Sequence, residues 1–428
     1  MDILIKNGLL IDPLNKICEP MDVLINKGKI YEVGRNIETK ADKIINAENM
    51  WVTPGLIDLH THAREPGFEY KETIETASES AMHGGFTTIC VMPNTNPVTD
   101  NPDVVRAIYE KAQKSSKINV LVIGSITKGQ AGEELADFKG MKSAGIIALS
   151  EDGKSVMSPK LMKEALILAK QNNLSILSHC EDLSLKAGGV MNLGEYSKKL
   201  GLKGIPKDCE ETIIARDLIL AGSTGSRVHI CHISTKDSVL MVRAAKQLGI
   251  QATAEACPHH FVLSDDMITT NDGNFKMSPP IRSKEDVNQI LEGLRGGAVD
   301  VIATDHAPHS GEEKQGGFEN SLNGIVGLET ALPLSITYLV NKNILTPIKL
   351  IEKLTINPAR VIGLDRGALT VGAVADITII DPNIKYKINT SGFKSKSKNS
   401  PFNNFEVSGK AVMTVVNGKI VMDRGQSL

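Results

Sequence analysis

From Pro54 to Leu364 the chain alternates short apolar runs rich in β-branched residues with longer amphipathic stretches. The runs are Gly55–His62, Thr87–Met92, Asn119–Ile126, Ile146–Ser150, Ser175–His179, Val228–His232, Gln251–Ala256 and Val299–Thr304. Stretches such as Asn101–Ser115 and Lys236–Leu248 have the spacing of helices with one apolar face. Val120-Leu121-Val122-Ile123 is apolar without a break, as expected of a parallel strand covered on both sides. Eight strand-then-helix units predict an α/β fold, a (β/α)8 TIM barrel over residues 54–366. A doubly wound open sheet would show the same alternation. The count of eight favours the barrel, and so does the placement of the polar residues.

Several of these runs end on a histidine or a carboxylate: His60 and His62, Glu151-Asp152, His179, His232 and Asp305. The C-terminal strand ends of a barrel share one face, so side chains distant in sequence would meet there. The flanks, residues 1–53 and 367–428, read differently. They hold short strands, with hairpin turns predicted at Asn26-Lys27-Gly28-Lys29 and Asn417-Gly418-Lys419. Neither flank is long enough to bury a core alone, so the two are expected to pair as one discontinuous, β-sandwich-like domain. Asn389–Asn404, rich in Ser, Lys and Asn, reads as a long loop on that domain.

Composition narrows the function mainly by exclusion. Lys and Arg total 48 against 50 Asp and Glu, a net charge of -2. That leaves no single-sign field to hold a nucleic acid or an anionic membrane. An aromatic content of 4% offers no stacking platform for single strands. No run approaches the roughly 20 apolar residues that span a bilayer, and Met1–Lys6 lacks the layout of a signal peptide. Six scattered cysteines without a CxxC pair suggest reduced thiols and a cytoplasmic protein. A charged ligand would therefore be held by a local pocket.

The chemistry concentrates in the barrel, where all ten histidines lie between His60 and His309. His60 and His62 are two apart on a strand end, so both imidazoles point the same way, and imidazole is a common metal ligand. With His179, His232 and Asp305 there are enough ligands for two cations. Two adjacent cations repel and call for a bridging anion. Asp152 is the best candidate for the bridge, and Glu151 competes with it. Each residue singly could be a hydrogen-bonded surface group, but that explanation would have to hold for all six at once.

Asp58-Leu59-His60-Thr61-His62-Ala63-Arg64-Glu65-Pro66-Gly67 resembles the opening motif of dihydroorotases, in the amidohydrolase superfamily. Met92-Pro93-Asn94-Thr95-Asn96-Pro97 and Ala303-Thr304-Asp305-His306-Ala307-Pro308-His309 resemble two further signatures of the family. His179-Cys180-Glu181-Asp182 and His232-Ile233-Ser234-Thr235 follow in the expected order. The resemblance implies reversible, zinc-dependent opening of the dihydroorotate ring to N-carbamoyl-aspartate, a step of pyrimidine synthesis. It implies two zinc ions, one on His60, His62 and Asp305, the other on His179 and His232, bridged by Asp152. The fourth strand offers no lysine, so the aspartate-bridged bacterial branch is the nearer match. Asp305 would move the proton, while Arg64, Asn94, Ser278 and His309 would contact the anionic substrate. Ser278 stands where the family usually carries Asn, which shortens its reach. Two assemblies are left open, a homodimer and a complex with an aspartate transcarbamoylase. The competing readings are another cyclic amidohydrolase (an allantoinase or hydantoinase) and a non-catalytic scaffold of the same family.

Other residues are expected to be structural. Strand alternation should turn Cys180, Cys231 and His229 away from the site. Cys257, His259 and His260 are expected to be packed and satisfied, and His83 to serve a helix C-terminus. Glu312 and Lys314 suggest a mobile lid, and the backbone of Gly327–Thr330 a pocket wall.

Overall fold

The N-terminal flank supplies five strands: β1 (Ile3–Asp12), β2 (Ile17–Asn26), β3 (Lys29–Gly34), β4 (Lys43–Asn46) and β5 (Trp51–Pro54). These come from a computed structural model that describes residues 2–424; Met1 and residues 425–428 lie outside it. β2 and β3 form the expected hairpin, with positive φ at Lys27 (49°) and Gly28 (78°), the backbone of a type I′ turn.

The barrel strands follow: β6 (Leu56–Thr61), β7 (Phe86–Val91), β8 (Asn119–Ser125), β9 (Ala148–Ser150) and β10 (Ser175–Ser178). A small parallel pair, β11 (Met191–Asn192) and β12 (Gly204–Ile205), intervenes. β13 (Val228–Ile230), β14 (Ala252–Ala256) and β15 (Val301–Ile302) complete the set. The eight barrel strands are hydrogen-bonded in chain order and all in parallel. A bridge from Thr61 to His306, with the His62 N–H on the His306 carbonyl at 2.8 Å, joins first to last. The fold is a TIM barrel.

Each strand is apolar on both faces for the predicted reason. Val120, Val122, Ile176 and Val228 pack outward against the helices, while Ile57, Leu59, Ile123, Leu177 and Val301 fill the interior. Local capping sets the helices: Asn101 accepts from Asp103 and Val104 N–H groups ahead of Pro102–Ser115, and Thr235 caps Lys236–Gln247.

The C-terminal flank adds β16 (Ile377–Lys387), β17 (Glu406–Val416) and β18 (Lys419–Asp423). Both flanks share one mixed sheet in the order β18-β17-β16-β5-β1-β2-β3, with β4 beside β1. Their side chains form one cluster around Ile5, Val23, Ile25, Val52, Ile377 and Val415. The two hairpin turns touch. A Cβ on Gly418, whose φ is 73°, would lie 2.4 Å from the Gly28 Cα, so only glycine permits this approach.

Two expectations are corrected. Most strands end earlier than their apolar runs; the last is Val301–Ile302, because the following residues leave the ladder and turn into the barrel mouth. The segment Asn389–Asn404 does not stay on the β-domain. Ser395, Lys396, Ser397 and Asn399 bond to Glu72, Lys71, Ala307 and Gly324 of the barrel.

One buried carboxylate holds the barrel seam. Asp58 accepts from the Thr61 hydroxyl (2.7 Å), the Thr304 hydroxyl (2.6 Å) and the Thr304 N–H (3.0 Å), tying β6 to the residues after β15. Asp58→Ala strands these donors in a dry interior and is expected to cost about 2–4 kcal/mol. The check is the thermal or urea midpoint, and an unshifted midpoint would refute the role.

Candidate metal centre

The strand ends present their side chains by abandoning extended geometry. His232 and Asp305 have positive φ, 31° and 47°, and so does Arg64 at 62°. Such conformations are costly for residues other than glycine, and they cluster where a site needs a side chain re-aimed. His60 and His62 come from the end of β6, Asp152 follows β9, His179 follows β10, His232 follows β13 and Asp305 follows β15. All six are buried.

They converge on Asp152. Its Oδ1 lies 3.2 Å from His60 Nε2, 3.3 Å from His179 Nδ1 and 3.6 Å from His232 Nε2; its Oδ2 lies 3.2 Å from His62 Nε2. Asp305 Oδ1 sits 3.2 Å from His62 Nε2 and 3.5 Å from His60 Nε2. His179 Nδ1 and His232 Nε2 face one another at 2.9 Å. His60, His62 and Asp305 form one ligand-spaced group, and His60, Asp152 and His232 another. The competitor Glu151 turns aside: it accepts from the Thr127 N–H (3.0 Å) and the Ser125 hydroxyl (3.2 Å).

The electrostatics ask for cations. Burial alone would lower the pKa of His60, but Asp152, Glu255 and Asp305 together raise it well above the ordinary imidazole value. Burial is likewise overcome at His179, raised to about 9 by Asp152 and Glu181. The carboxyls of Asp152 and Asp305 are held well below their usual range, His60 overcoming their burial. Two atoms that face each other in the cluster, His60 Nε2 and Asp152 Oδ1, nonetheless lack a hydrogen-bond partner among the described residues. His60 Nε2 and Asp152 Oδ1 are close without hydrogen-bond geometry, which is how ligand atoms sit around a shared ion. Nitrogen and carboxylate donors of this kind fit a pair of divalent cations such as zinc.

Sequence reasoning missed the support beneath these side chains. Glu255 accepts from His60 Nδ1 at 2.7 Å, which fixes the ring with Nε2 toward the cluster. Its other oxygen meets His229 Nε2 at 3.0 Å. His229 therefore faces the barrel interior, contrary to expectation, as does Cys231, which lies in the interior cluster and near His60 and Glu255. Alternation misled here because His232 reaches the mouth through its positive φ and not by strand parity. A lone carboxylate in the apolar run Gln251–Ala256 was the available signal. Cys180 packs outward as expected. His83 is bonded to the Glu79 carbonyl in the last turn of its helix. His260 donates to the Pro279 carbonyl, but its Nδ1 and His259 Nε2 are unsatisfied, so that pair is only partly as expected.

A cavity of about 220 Å³ opens above the cluster, lined by Arg64, Asn94, Ser278, His309 and Leu322–Gly324. Arg64 donates from Nε to the Pro308 carbonyl at 3.1 Å. Among the described residues it forms no ion pair with a carboxylate, which leaves a half-buried cation facing the cavity. Burial, with Arg64 and Lys71 nearby, pushes the His309 pKa down to about 3, so its ring is neutral. Its Nε2 donates to the Asn323 carbonyl at 2.7 Å. Asn94 accepts from His62 Nδ1 at 2.9 Å, orienting a cluster ligand as well as lining the cavity. Ser278 donates to Glu181 at 2.5 Å, and Glu181 pairs with Lys186 at 2.7 Å; neither of these charged residues was foreseen. The expected lid is pinned: Lys314 is buried and donates to the carbonyls of Lys276, Leu322 and Gly324, while Glu312 is exposed. Leu322–Gly324 forms the wall expected of Gly327–Thr330; the Gly327 N–H instead donates to His306 Nδ1.

Comparison with known proteins places the whole chain beside named relatives. Residues 50–238 match the family model described as Dihydro-orotase-like. A dihydroorotase from Acetivibrio thermocellus is 49% identical over 98% of this chain and 98% of its own length. One from Pelotomaculum thermopropionicum is 48% identical over 99% of each. Among solved structures, an L-hydantoinase (dihydropyrimidinase) from Arthrobacter aurescens matches with a TM-score of 0.91 and 28% identity, over 100% of this chain and 97% of its own.

Glu255→Gln keeps the side chain's shape and removes the charge that orders His60. It is expected to weaken metal retention about tenfold to hundredfold, as measured by chelator competition. Retention equal to that of the unaltered chain would remove Glu255 from the site.

Proposed function

The chain belongs to the dihydroorotase family, and on that premise we propose that His60, His62, Asp152, His179, His232 and Asp305 hold two zinc ions and that Arg64, Asn94, Ser278 and His309 receive the substrate. The protein is a cyclic amidohydrolase of dihydroorotase function. The activity opens the ring amide of dihydroorotate to N-carbamoyl-aspartate, reversibly, in pyrimidine synthesis. In support of two ions, one carboxylate, Asp152, lies within 3.6 Å of all four imidazoles. Bound divalent cations would supply Lewis acidity and make water a usable nucleophile at neutral pH.

The chain's own groups do the rest. Arg64 can pair with the substrate carboxylate through its free guanidinium donors. The neutral His309 and Asn94 line the same cavity and add hydrogen bonds without adding charge. Asp305, against His62 and His60, takes the proton of the attacking water and returns it to the departing ring nitrogen. In the reverse direction it receives the proton from the ureido nitrogen as the ring closes. Ser278, engaged with Glu181, reaches the substrate at most through its oxygen lone pairs. The six cysteines are all unpaired, in keeping with a cytoplasmic enzyme.

The observation that carries the substrate assignment is Arg64, a cation in the cavity that forms no direct ion pair with a carboxylate among the described residues. A non-catalytic scaffold has no need of such a set, and the convergence of the six side chains supports the enzyme reading. Assay of the zinc-loaded protein on dihydroorotate, allantoin, hydantoin and dihydrouracil is expected to show turnover chiefly of dihydroorotate. Preference for an uncharged ring would transfer the assignment to a hydantoinase. Arg64→Met is expected to raise KM for dihydroorotate by about tenfold to hundredfold, the value of a charge-assisted contact. A KM that does not move would rule out carboxylate recognition there.

A further inference from the structure

The segment joining β16 to β17 alternates along its length from Lys394 to Asn399. Ser395, Ser397 and Asn399 are buried, whereas Lys394, Lys396 and Lys398 are exposed. The three polar side chains thus share the inner side of the segment, and each inner group meets the barrel. The Ser395 hydroxyl and the Lys396 N–H donate to Glu72, the latter at 3.0 Å. Glu72 also meets His306 Nε2 at 3.3 Å, next in sequence to Asp305. The Ser397 hydroxyl donates to the Lys71 carbonyl at 2.7 Å. Lys71 in turn pairs with Glu313 at 2.9 Å and approaches His309 Nδ1 at 3.5 Å.

Asn399 makes the most connections. Its Nδ2 donates to the Ala307 carbonyl at 3.1 Å and to the Gly324 carbonyl at 3.0 Å. Its Oδ1 accepts from the His309 N–H at 3.1 Å, and its own carbonyl accepts from the Val326 N–H at 2.9 Å. Ala307, His309 and Gly324 all line the cavity. One carboxamide from the C-terminal flank thus spans two cavity walls. It makes no hydrogen bond or ion pair with any of the six cluster residues.

Only a carboxamide offers two donors and an acceptor on one planar head of this size. A carboxylate would lose both donations and set its oxygens against two carbonyl oxygens. An alanine would leave the Ala307 carbonyl and the His309 N–H without this partner, and the Gly324 carbonyl with the Lys314 ammonium alone. In either case the two loops would have to be ordered when substrate arrives, at the expense of affinity.

We propose that Asn399 is a positioning residue for the reaction: it fixes the Ala307–His309 loop against the Gly324 loop, so that the substrate meets a preformed pocket. It acts through His309 and Ala307 and not on the reacting atoms. The inference rests on the dihydroorotase reading, because it takes these loops to be the substrate's walls.

The test uses the full zinc-loaded chain, unaltered and as Asn399→Ala and Asn399→Asp, assayed in both directions. KM is expected to rise at least about tenfold in each variant, with kcat within about threefold, the effect of lost loop-fixing hydrogen bonds. Zinc content should be unaltered. Hydrogen exchange should quicken in peptides covering 305–309 and 322–326 and not in the barrel strands. A KM within about twofold of the unaltered chain would overturn the inference. So would loss of zinc, or kcat and KM changing together with a collapsed melting temperature, which is the mark of a merely structural lesion. Should neither Asn399 variant fold, Ser397→Ala removes only the bond to the Lys71 carbonyl. It should raise KM in the same direction by a smaller factor, and an unmoved KM there overturns the inference as well. An unaltered chain that opens no dihydroorotate ring overturns the parent reading and this inference with it; turnover with an unmoved variant KM overturns this inference alone.

Discussion

The structure turns on one buried carboxylate, Asp152, with four imidazoles gathered around it. A carboxylate in a dry interior is tolerated only when opposite charge or several donors meet it. Here the donors come from the ends of three other strands, His60 and His62 from one, His179 and His232 from two more, and Asp305 adds a second negative charge at the rim. The surroundings raise the pKa of His60 and His179 and depress those of both carboxyls, so the cluster draws positive charge into the barrel mouth. Divalent ions would meet that demand with a coordination geometry that protons lack.

Precision in such a site comes from what stands behind the ligands. Glu255 holds His60 from below and Asn94 holds His62 from the side, so two rings of the cluster have their tautomers set by partners outside it. His229 completes the interior chain through Glu255. Asp58 fastens the first strand to the region of Asp305, and closure of the barrel and assembly of the site therefore share one set of hydrogen bonds.

The cavity above the cluster depends on a different part of the chain. Its walls at Ala307, His309 and Gly324 are braced by a segment that leaves the β-domain and crosses the barrel mouth. Lys314, buried, ties two carbonyls of the neighbouring loop, Leu322 and Gly324, to that of Lys276, so the cavity edge is a built wall.

Much of this was legible in one dimension. Local patterning determined the eight barrel strands, because a buried parallel strand must be apolar on both faces, and it determined the two hairpins, because a type I′ turn needs residues that accept positive φ. Histidines and aspartates at strand ends marked the six cluster residues for the same reason: a barrel sends all such ends to one face. Tertiary structure alone decided which way residues point once a strand ends. The positive φ of His232 and Asp305 broke the alternation that had assigned His229 and Cys231 to the outside. It also decided the part played by Glu255 and Asn399. A lone carboxylate in an apolar strand, or an asparagine in a polar loop, takes its meaning from partners tens to hundreds of residues away, and no local pattern encodes that distance.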